Sequence, residues 1–500
     1  MTAKGKLHFL GINGSGIVGA ACLAKERGFD VDGCDLVESS DYSKQLLDLG
    51  ITVRVGQSKE HLEGVDKLVV SPAIFFRDNH KNIEEVNEAE KYGVEVIRWQ
   101  QFLDTYLAKG RQMIGVCGTH GKTTTTTVVA NLLESCGADP SAIIGGINKR
   151  WNRNYRNGRG KYFVCEADEY GYNFTYYHPK YILINNLEME HPEFFNNLDE
   201  YRDNFRNFIG NIKRGGTIIF NADDQNVIGI VNDCMSLLER KKVKLLSYSI
   251  GENYKDDRVQ NYRVEIKDEF FILDNTLFNY IDSLRGVFNV RNTAMAVVLL
   301  KELGFGNDLI SKSCKNCEIA KRRMETVYST KDFVVYDDYA HHHTQVLNNL
   351  KSLRQNIDTG DRIVAVLEPH LISRFTGNST AYIEAMSIAD YPIITKFFKS
   401  REKHLDEPDM GPYLKGTGVV YEPDFDLVVD RVISIAGNHY GRNRLHIVVM
   451  GAGISYRLTR KIMCALVSTV FPENSERKSI IYHSVPMYSD VKAGNIVPVV

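Results

Sequence analysis

The amino-acid sequence predicts an α/β fold of three successive units, each a largely parallel sheet with helices on its faces. Three observations carry that prediction. At 500 residues the chain is too long for one hydrophobic core, since domains run to ~100–200 residues. Short apolar runs alternate with amphipathic stretches along most of it, the pattern of β-α-β connections. Several of those runs also end in glycine, Asp or Glu, which suits strand ends that face a ligand. A hydrophobic content of 43% with 25% charged residues is ordinary for a globular chain and excludes a disordered or fibrous one.

The first unit is expected over residues 1–108. Leu7–Leu10 is a strand that runs into the turn Gly11-Ile12-Asn13-Gly14-Ser15-Gly16, and an amphipathic stretch follows to Lys25. Asp30–Asp35 reads as a second strand ending in an acid, and Ile51–Val55, Lys67–Val70 and Val94–Ile97 continue the alternation. A second unit, 109–327, opens with the strand Gln112–Cys117 and adds Tyr162–Cys165, Tyr181–Ile184 and Thr217–Phe220. Between Lys255 and Asn279 aromatic, apolar and charged residues interleave, which predicts an antiparallel ribbon. The third unit, 328–500, carries the apolar runs Phe333–Tyr336, Arg362–Leu367, Ile393–Phe398 and Leu445–Met450.

Lys and Arg number 61 against 63 Asp and Glu, and the net charge of −2 offers no basic face for nucleic acid or an acidic membrane. No apolar run approaches the ~18–20 residues of a spanning helix. Met1 is followed almost at once by the first strand, without the regions of a signal peptide. The nine cysteines are scattered and odd in number, which does not suggest a disulfide framework. A cytoplasmic protein that handles small molecules, as monomer or homodimer, is the expectation.

The sharpest motif is Gly115-Val116-Cys117-Gly118-Thr119-His120-Gly121-Lys122-Thr123-Thr124. An apolar strand enters a glycine-rich turn, and Lys-Thr-Thr then opens a helix with Val128, Val129, Leu132 and Leu133 on one face. Gly118 and Gly121 let the backbone curl until successive N–H groups face one anion. The helix N-terminus adds its dipole, Lys122 can reach β- and γ-phosphates, and Thr123 can hold Mg²⁺. The turn is shorter than the common G-x-x-x-x-G-K-[ST] form. A plain strand–helix turn would need neither the lysine nor the hydroxyls. Downstream, Glu166-Ala167-Asp168-Glu169 and Asn185-Asn186-Leu187-Glu188-Met189-Glu190-His191 each follow a strand and come up beside the loop on a parallel sheet. Alone, either reads as a solvated turn. Beside a phosphate loop, their carboxylates and imidazole suit a divalent cation. The set reads as phosphoryl transfer from ATP.

Taken in order, GTHGKTTTT, EADE, NNLEMEH, the NADD of Asn221–Asp224, the FNVRN of Phe288–Asn292, the KRRME of Lys321–Glu325 and the DDYAHH of Asp337–His342 resemble the Mur ligases. The resemblance spans roughly residues 6–455, and HFLGINGSG, Ser71-Pro72-Ala73-Ile74 and Ser400-Arg401-Glu402-Lys403 add to it. It implies a Rossmann-like UDP-sugar domain, a central P-loop ATPase domain with a parallel sheet, and a C-terminal Rossmann-like domain for the amino acid. The activity implied is ATP- and Mg²⁺-dependent joining of L-alanine to the carboxylate of UDP-N-acetylmuramate, through an acyl phosphate, in peptidoglycan synthesis. Lys122 would neutralise the γ-phosphate, with Gly118, Thr119, His120, Gly121 and Thr124 completing the loop. Thr123, Glu166 and His191 would organise Mg²⁺, while Asn289 and Asn292 would meet the nucleotide. Arg323 and Asp338 would complete the ATP site, and His341 and His342 would approach the amino acid and acyl centre. Gly11, Gly14, Ser15 and Gly16 would lie at the pyrophosphate and Asp35 near the uridine, with Ser71 and Ala73 on the same substrate. His370 and Arg374 would meet the amino acid's carboxylate. No carbamylated lysine is implied.

A murein-tripeptide recycling ligase would use the same chemistry and is suggested by Glu169-Tyr170 and the Asn-Asn-Leu-Glu run. A nucleotide-binding regulator without catalysis is a third reading, against which the Lys122, Glu166 and His191 set argues. His343 stands where the family usually has proline and Leu371 where arginine is usual, so either a neighbour such as Arg401 or His343 supplies the missing charge or another acceptor is preferred. Gly11-x-x-Gly14-x-Gly16 is not the dinucleotide fingerprint, with Asn13 where glycine is usual. Cys314 and Cys317 form a single C-x-x-C and are expected to pack on a helix face, and Cys117 and Cys165 to fill the core. Phe471–Val500 matches no motif.

Overall fold

The apolar runs become strands because their β-branched and aromatic residues suit a pleated surface buried on both faces. The computed structural model describes residues 4–76, 83–89, 91–191, 194–251, 254–281, 286–400 and 402–469. The chain divides into two compact units that part between Lys321 and Arg322. Among the described residues no helix is long and apolar enough to cross a membrane. The 471–500 tail and Arg401 lie outside the described residues.

The first unit holds two sheets. β1 (Lys6–Leu10), β2 (Asp30–Asp35), β3 (Thr52–Val55), β4 (Lys67–Val70) and β5 (Glu95–Arg98) run in the order β3-β2-β1-β4-β5, every pair parallel. The order reverses between β1 and β4, so a ligand crevice opens at their carboxyl ends, where the Gly11–Gly16 turn sits.

The second sheet is built from β6 (Gln112–Cys117), β7 (Ser141–Asn148), β8 (Arg153–Arg156), β9 (Tyr162–Glu166), β10 (Tyr181–Ile184), β11 (Thr217–Asn221), β12 (Lys244–Ile250), β13 (Val259–Ile266), β14 (Phe270–Leu273) and β15 (Thr276–Asn279). Its order is β15-β14-β13-β12-β11-β10-β6-β9-β7-β8. The span from β13 to β7 is parallel, and both edges are antiparallel. The central sheet is therefore mixed. The ribbon expected between Lys255 and Asn279 is present, but its first strand, β13, also pairs parallel with β12 and so extends the main sheet.

β6 lies inside this sheet, between β10 and β9, and the helix Lys122–Ser135 that follows it packs against the helix Val287–Glu302. The Lys122–Ser135 helix is buried continuously from Thr123 to Leu133, not along one face as the Val128–Leu133 pattern suggested. Its threonines tolerate this because Thr126 and Thr127 donate back to the carbonyls of Lys122 and Thr123, at 2.8 and 2.7 Å.

The second unit has one six-stranded sheet, from β16 (Glu325–Ser329), β17 (Phe333–Asp338), β18 (Arg362–Leu367), β19 (Tyr391–Ile394), β20 (Val420–Tyr421) and β21 (Leu445–Met450). The order is β16-β17-β21-β18-β19-β20, parallel except for the β16–β17 pair. The apolar run Ile393–Phe398 is strand only to Ile394. Beyond it the chain leaves the sheet, and Phe398 makes an isolated bridge to His370.

Candidate active site

The phosphate loop leaves β6 at Cys117 and enters its helix at Lys122. Gly118 has φ +126°, and a Cβ there would come within 2.9 Å of the Asn186 carbonyl oxygen. At Gly121, φ is +81° and a Cβ would meet Asn292 Oδ1 at 2.5 Å. Both glycines are required by conformation and by close approach. The Thr119 N–H donates to the Asn186 carbonyl at 3.1 Å and the His120 N–H to Asn186 Oδ1 at 2.8 Å, so the end of β10 holds the loop in shape. Gly121, Lys122, Thr123 and Thr124 form the helix start, which favours an anion.

Lys122 turns back across the loop. Its Nζ donates to both Glu169 oxygens, at 2.9 and 3.0 Å, and to the Gly118 carbonyl at 2.7 Å. Burial works to lower the ammonium's pKa, but Glu169 and then Asp168 overcome it and hold Lys122 above the ordinary lysine range. Glu169 is itself wholly buried and also accepts from the Tyr201 hydroxyl at 3.1 Å.

One ligand atom each from Asp168, Glu169 and His191 lies within 4.8 Å of the others. His191 takes a left-handed backbone, φ +57°, which brings Nε2 to 3.9 Å from Glu169 and the ring against Tyr170. Two carboxylates and an imidazole are a donor set that suits a divalent cation. Glu166, at the end of β9, accepts the Gly145 N–H at 2.7 Å. Sequence reasoning singled out Glu166 and His191 but gave Asp168 and Glu169 no separate role. The run of acids after a strand was the available signal.

A cavity of about 300 Å³ adjoins the loop, lined by Asn185, Asn186, Asp224, Tyr248, Arg291 and Asn292 among others. Asn292 accepts from the Thr125 hydroxyl at 3.2 Å, and its amide nitrogen lies 3.4 Å from Asn289 Oδ1. Asn292 thus sits between cavity and loop. Arg291 is anchored on Asp223 at 3.1 Å.

At the first sheet, a Cβ on Gly11 (φ +78°) would meet Ser71 Cβ at 2.9 Å, and one on Gly16 would strike Trp99 at 2.6 Å. Asp35 accepts the N–H groups of Asn13 and Val37 at 3.0 and 3.2 Å. Asn13 fills a glycine position because its amide donates to the Val37 carbonyl and accepts from Ser43, both at 2.9 Å. Gly11, Gly14, Ser15, Gly16, Asp35 and Ser71 therefore share one crevice rim, while Ala73 is exposed on the turn after β4.

In the second unit, Asp338 is buried and accepts from Ala340 N at 2.6 Å and Asn349 Nδ2 at 2.9 Å. Burial raises its carboxyl's pKa, opposed by Arg323, whose guanidinium lies 5.2 Å over the Tyr339 ring. The His341 and His370 rings are 5.1 Å apart, and His370 Nδ1 is 3.0 Å from the buried Arg374. His342 caps the helix His343–Asn356, and the His343 ring packs on Tyr382. Leu371 is buried with φ +68°, a core side chain where a basic one is usual in the resemblance. In the first unit, Cys117, Cys165, Cys314 and Cys317 are all buried, and burial pushes the Cys317 thiol up to about 12.

A glycine loop opening a helix after an interior strand of a largely parallel sheet, with converging acids and an adjoining cavity, defines an α/β phosphate-gripping protein. Family models match it in three pieces: the Mur ligase family catalytic domain over residues 6–111, the Mur ligase middle domain over 116–300 and the Mur ligase glutamate ligase domain over 322–453. The chain belongs to the Mur ligase family. It is 31% identical to the UDP-N-acetylmuramate–L-alanine ligase of Persephonella marina, over 91% of this chain and 96% of that protein. Its fold is similar to the solved UDP-N-acetylmuramate-alanine ligase of Thermotoga maritima, with TM-score 0.74, 22% identity, and coverage of 93% of this chain and 100% of that one. A murein peptide ligase from Psychrobacter arcticus is also similar, with TM-score 0.64, 22% identity, and coverage of 92% and 98%.

Proposed function

We propose that the protein joins L-alanine to the carboxylate of UDP-N-acetylmuramate at the expense of ATP, releasing ADP and phosphate. The observation that carries this reading is Lys122, held charged by Glu169 at the mouth of a loop shaped for phosphate. ATP supplies the γ-phosphoryl group that converts the sugar's carboxylate into an acyl phosphate, which the amino acid's neutral amine then opens to amide and phosphate.

Lys122 neutralises charge on the group in transfer, and the helix start at Gly121–Thr124 grips the neighbouring phosphates. Thr123, Asp168, Glu169 and His191, with Glu166 at the same strand end, would hold Mg²⁺, whose charge offsets that of the phosphates. The cavity beside Asn289 and Asn292 takes the adenine end. Residues 1–108 bind the UDP-sugar along the Gly11–Gly16 rim, the rest of the first unit, to Lys321, binds ATP, and the second unit, from Arg322, binds the amino acid. There the Arg374–His370 pair takes the amino acid's carboxylate, with His341 nearby. Substrates of this kind place the protein in the cytoplasm.

Because Leu371 puts an apolar side chain where the family has a basic one, a peptide acceptor is the second reading. An acceptor screen tests both, with UDP-N-acetylmuramate, ATP and Mg²⁺ present and phosphate release read for each amino acid or peptide. L-Alanine is expected to give the highest kcat/KM, and a clear preference for a tripeptide would replace the first reading with the second.

A further inference from the structure

One face of the first sheet carries a cluster that the ligase chemistry does not use. His8 on β1 and Cys34 on β2 share that face, and the turn Lys59–Leu62 and the helix Glu84–Ala89 bring His61 and Glu85 to them. His8, Cys34 and Glu85 are 0% exposed and the His61 side chain 12%. The surroundings are apolar, with Leu10, Leu62, Leu68 and Ala89 in the same core cluster as Cys34. The Gly11–Gly16 turn lies beyond them at the carboxyl end of β1.

The spacing among His8, Cys34 and Glu85 is that of a coordination shell. One ligand atom from each of the four residues lies within 4.8 Å of all the others. Tetrahedral zinc with bonds of about 2.0–2.3 Å has ligand–ligand edges of about 3.3–3.8 Å. His8 Nε2 is 3.4 Å from Cys34 Sγ, Cys34 Sγ is 3.3 Å from Glu85 Oε1, and His8 Nε2 is 3.8 Å from the same oxygen. His61 Nδ1 is closer, hydrogen-bonded to Glu85 Oε1 at 2.6 Å, so a turn of the His61 ring would be needed to open that edge.

The tautomer is also prepared. Asp32 lies 2.6 Å from His8 Nδ1 and is itself braced by Arg54 at 3.0 Å. An ionised carboxylate can only accept there, which puts a proton on Nδ1, and in the neutral ring the Nε2 lone pair then faces Cys34 and Glu85. Carboxylate–histidine pairs of this kind orient metal-bound imidazoles. Glu85 also accepts the Ser58 N–H at 3.2 Å, so the backbone helps to hold its carboxylate facing the cluster.

We propose that His8, Cys34, His61 and Glu85 form a structural zinc site that pins the Lys59–Leu62 turn and the Glu84–Ala89 helix to the first sheet. One thiolate, one carboxylate and two neutral imidazoles complete four-coordination and cancel the ion's charge. The Cys34 thiol gives up its proton to solvent as the Zn–S bond forms, and no electron is transferred. A mixed sulfur, nitrogen and oxygen set of this size selects zinc over magnesium. The closed, buried shell suits a structural ion rather than a catalytic one.

The test is a cobalt titration of the full chain after stripping by chelator, with excess Mg²⁺ present and the thiolate-to-cobalt charge-transfer band as the readout. One equivalent is expected to bind with that band, and zinc should displace it and raise Tm. Cys34→Ser should abolish the band, Asp32→Asn should weaken affinity by about 10–100-fold, and Cys464→Ser, at an exposed thiol, should change neither. Circular dichroism checks folding, and if Cys34→Ser fails to fold, weaker cobalt binding in His61→Ala carries the decision. A stripped wild type that takes up no cobalt with a thiolate band overturns the proposal, as does a band unchanged in folded Cys34→Ser or a cobalt affinity unchanged in His61→Ala.

Discussion

The ammonium of Lys122 lies 2.9 and 3.0 Å from the two oxygens of Glu169, a carboxylate with no solvent exposure. The pair fixes where the lysine points and keeps it charged. Glu169→Gln retains the shape but removes the charge, so kcat is expected to fall on the order of 10²-fold or more. The unpaired lysine should also lower stability, by about 3–5 kcal/mol if the pair behaves as other buried ones do. Calorimetry should find UDP-sugar affinity nearly intact, because that rim belongs to the first sheet. Equal loss of both activities would show that the Lys122–Glu169 pair does not act at a separate phosphate site.

His191→Ala and Asp168→Asn are each expected to raise the Mg²⁺ concentration for half-maximal activity, on the order of tenfold, since the cation loses a nitrogen donor in the first and a negative charge in the second. Glu166→Gln should do the same while keeping an acceptor for Gly145 N–H. Superimposable Mg²⁺ titration curves for wild type and all three variants would reduce these residues to ordinary turn-formers.

How much of this could be read from the chain follows from how local each signal is. Gly118, Gly121 and Lys122 are contiguous and announce a phosphate loop directly. The choice among Glu166, Asp168 and Glu169 is different, because it depends on how the chain leaves β9. There Gly171 and Tyr172 both take left-handed backbone, at φ +56° and +61°, and no periodicity encodes that path. The double pairing of β13 and the early end of β19 are decided by neighbouring strands rather than by their own residues. His8, Cys34, His61 and Glu85 are scattered through the first unit, and only the β1–β2 register and the overlying turn and helix bring them together.

Stability should depend on pH through Glu368. Burial pushes its carboxyl up to about 7, against hydrogen bonds from backbone N–H groups such as that of Ser455 and the charge of Arg322. A raised carboxylate pKa means the folded state binds the proton more tightly than the unfolded state, whose value is ~4.3. The contribution is complete below that value and is lost as pH rises through about 7. Glu368→Gln cannot ionise, so wild type should lose up to about 3 kcal/mol relative to it between those two pH values. Denaturant unfolding at a series of pH values reads this, and a constant difference between the two proteins would contradict it.

Leu371→Arg restores the basic residue usual in the family, but here the position is 1% exposed and has φ +68°. A guanidinium would be forced into a core site on a strained backbone. The substitution should therefore lower Tm, and the stability cost is expected to be several kcal/mol. No gain in L-alanine KM is expected, and a tighter KM with unchanged Tm would place the side chain at the substrate instead.

The most direct measurement is the product balance with ATP, Mg²⁺, UDP-N-acetylmuramate and L-alanine, each omitted in turn. Phosphoryl transfer at the Gly118–Thr124 loop predicts ADP and phosphate in equal amounts with the new amide, and no amide when any component is absent. Formation of AMP and pyrophosphate would contradict it, because the carboxylate would then have been activated as an acyl adenylate.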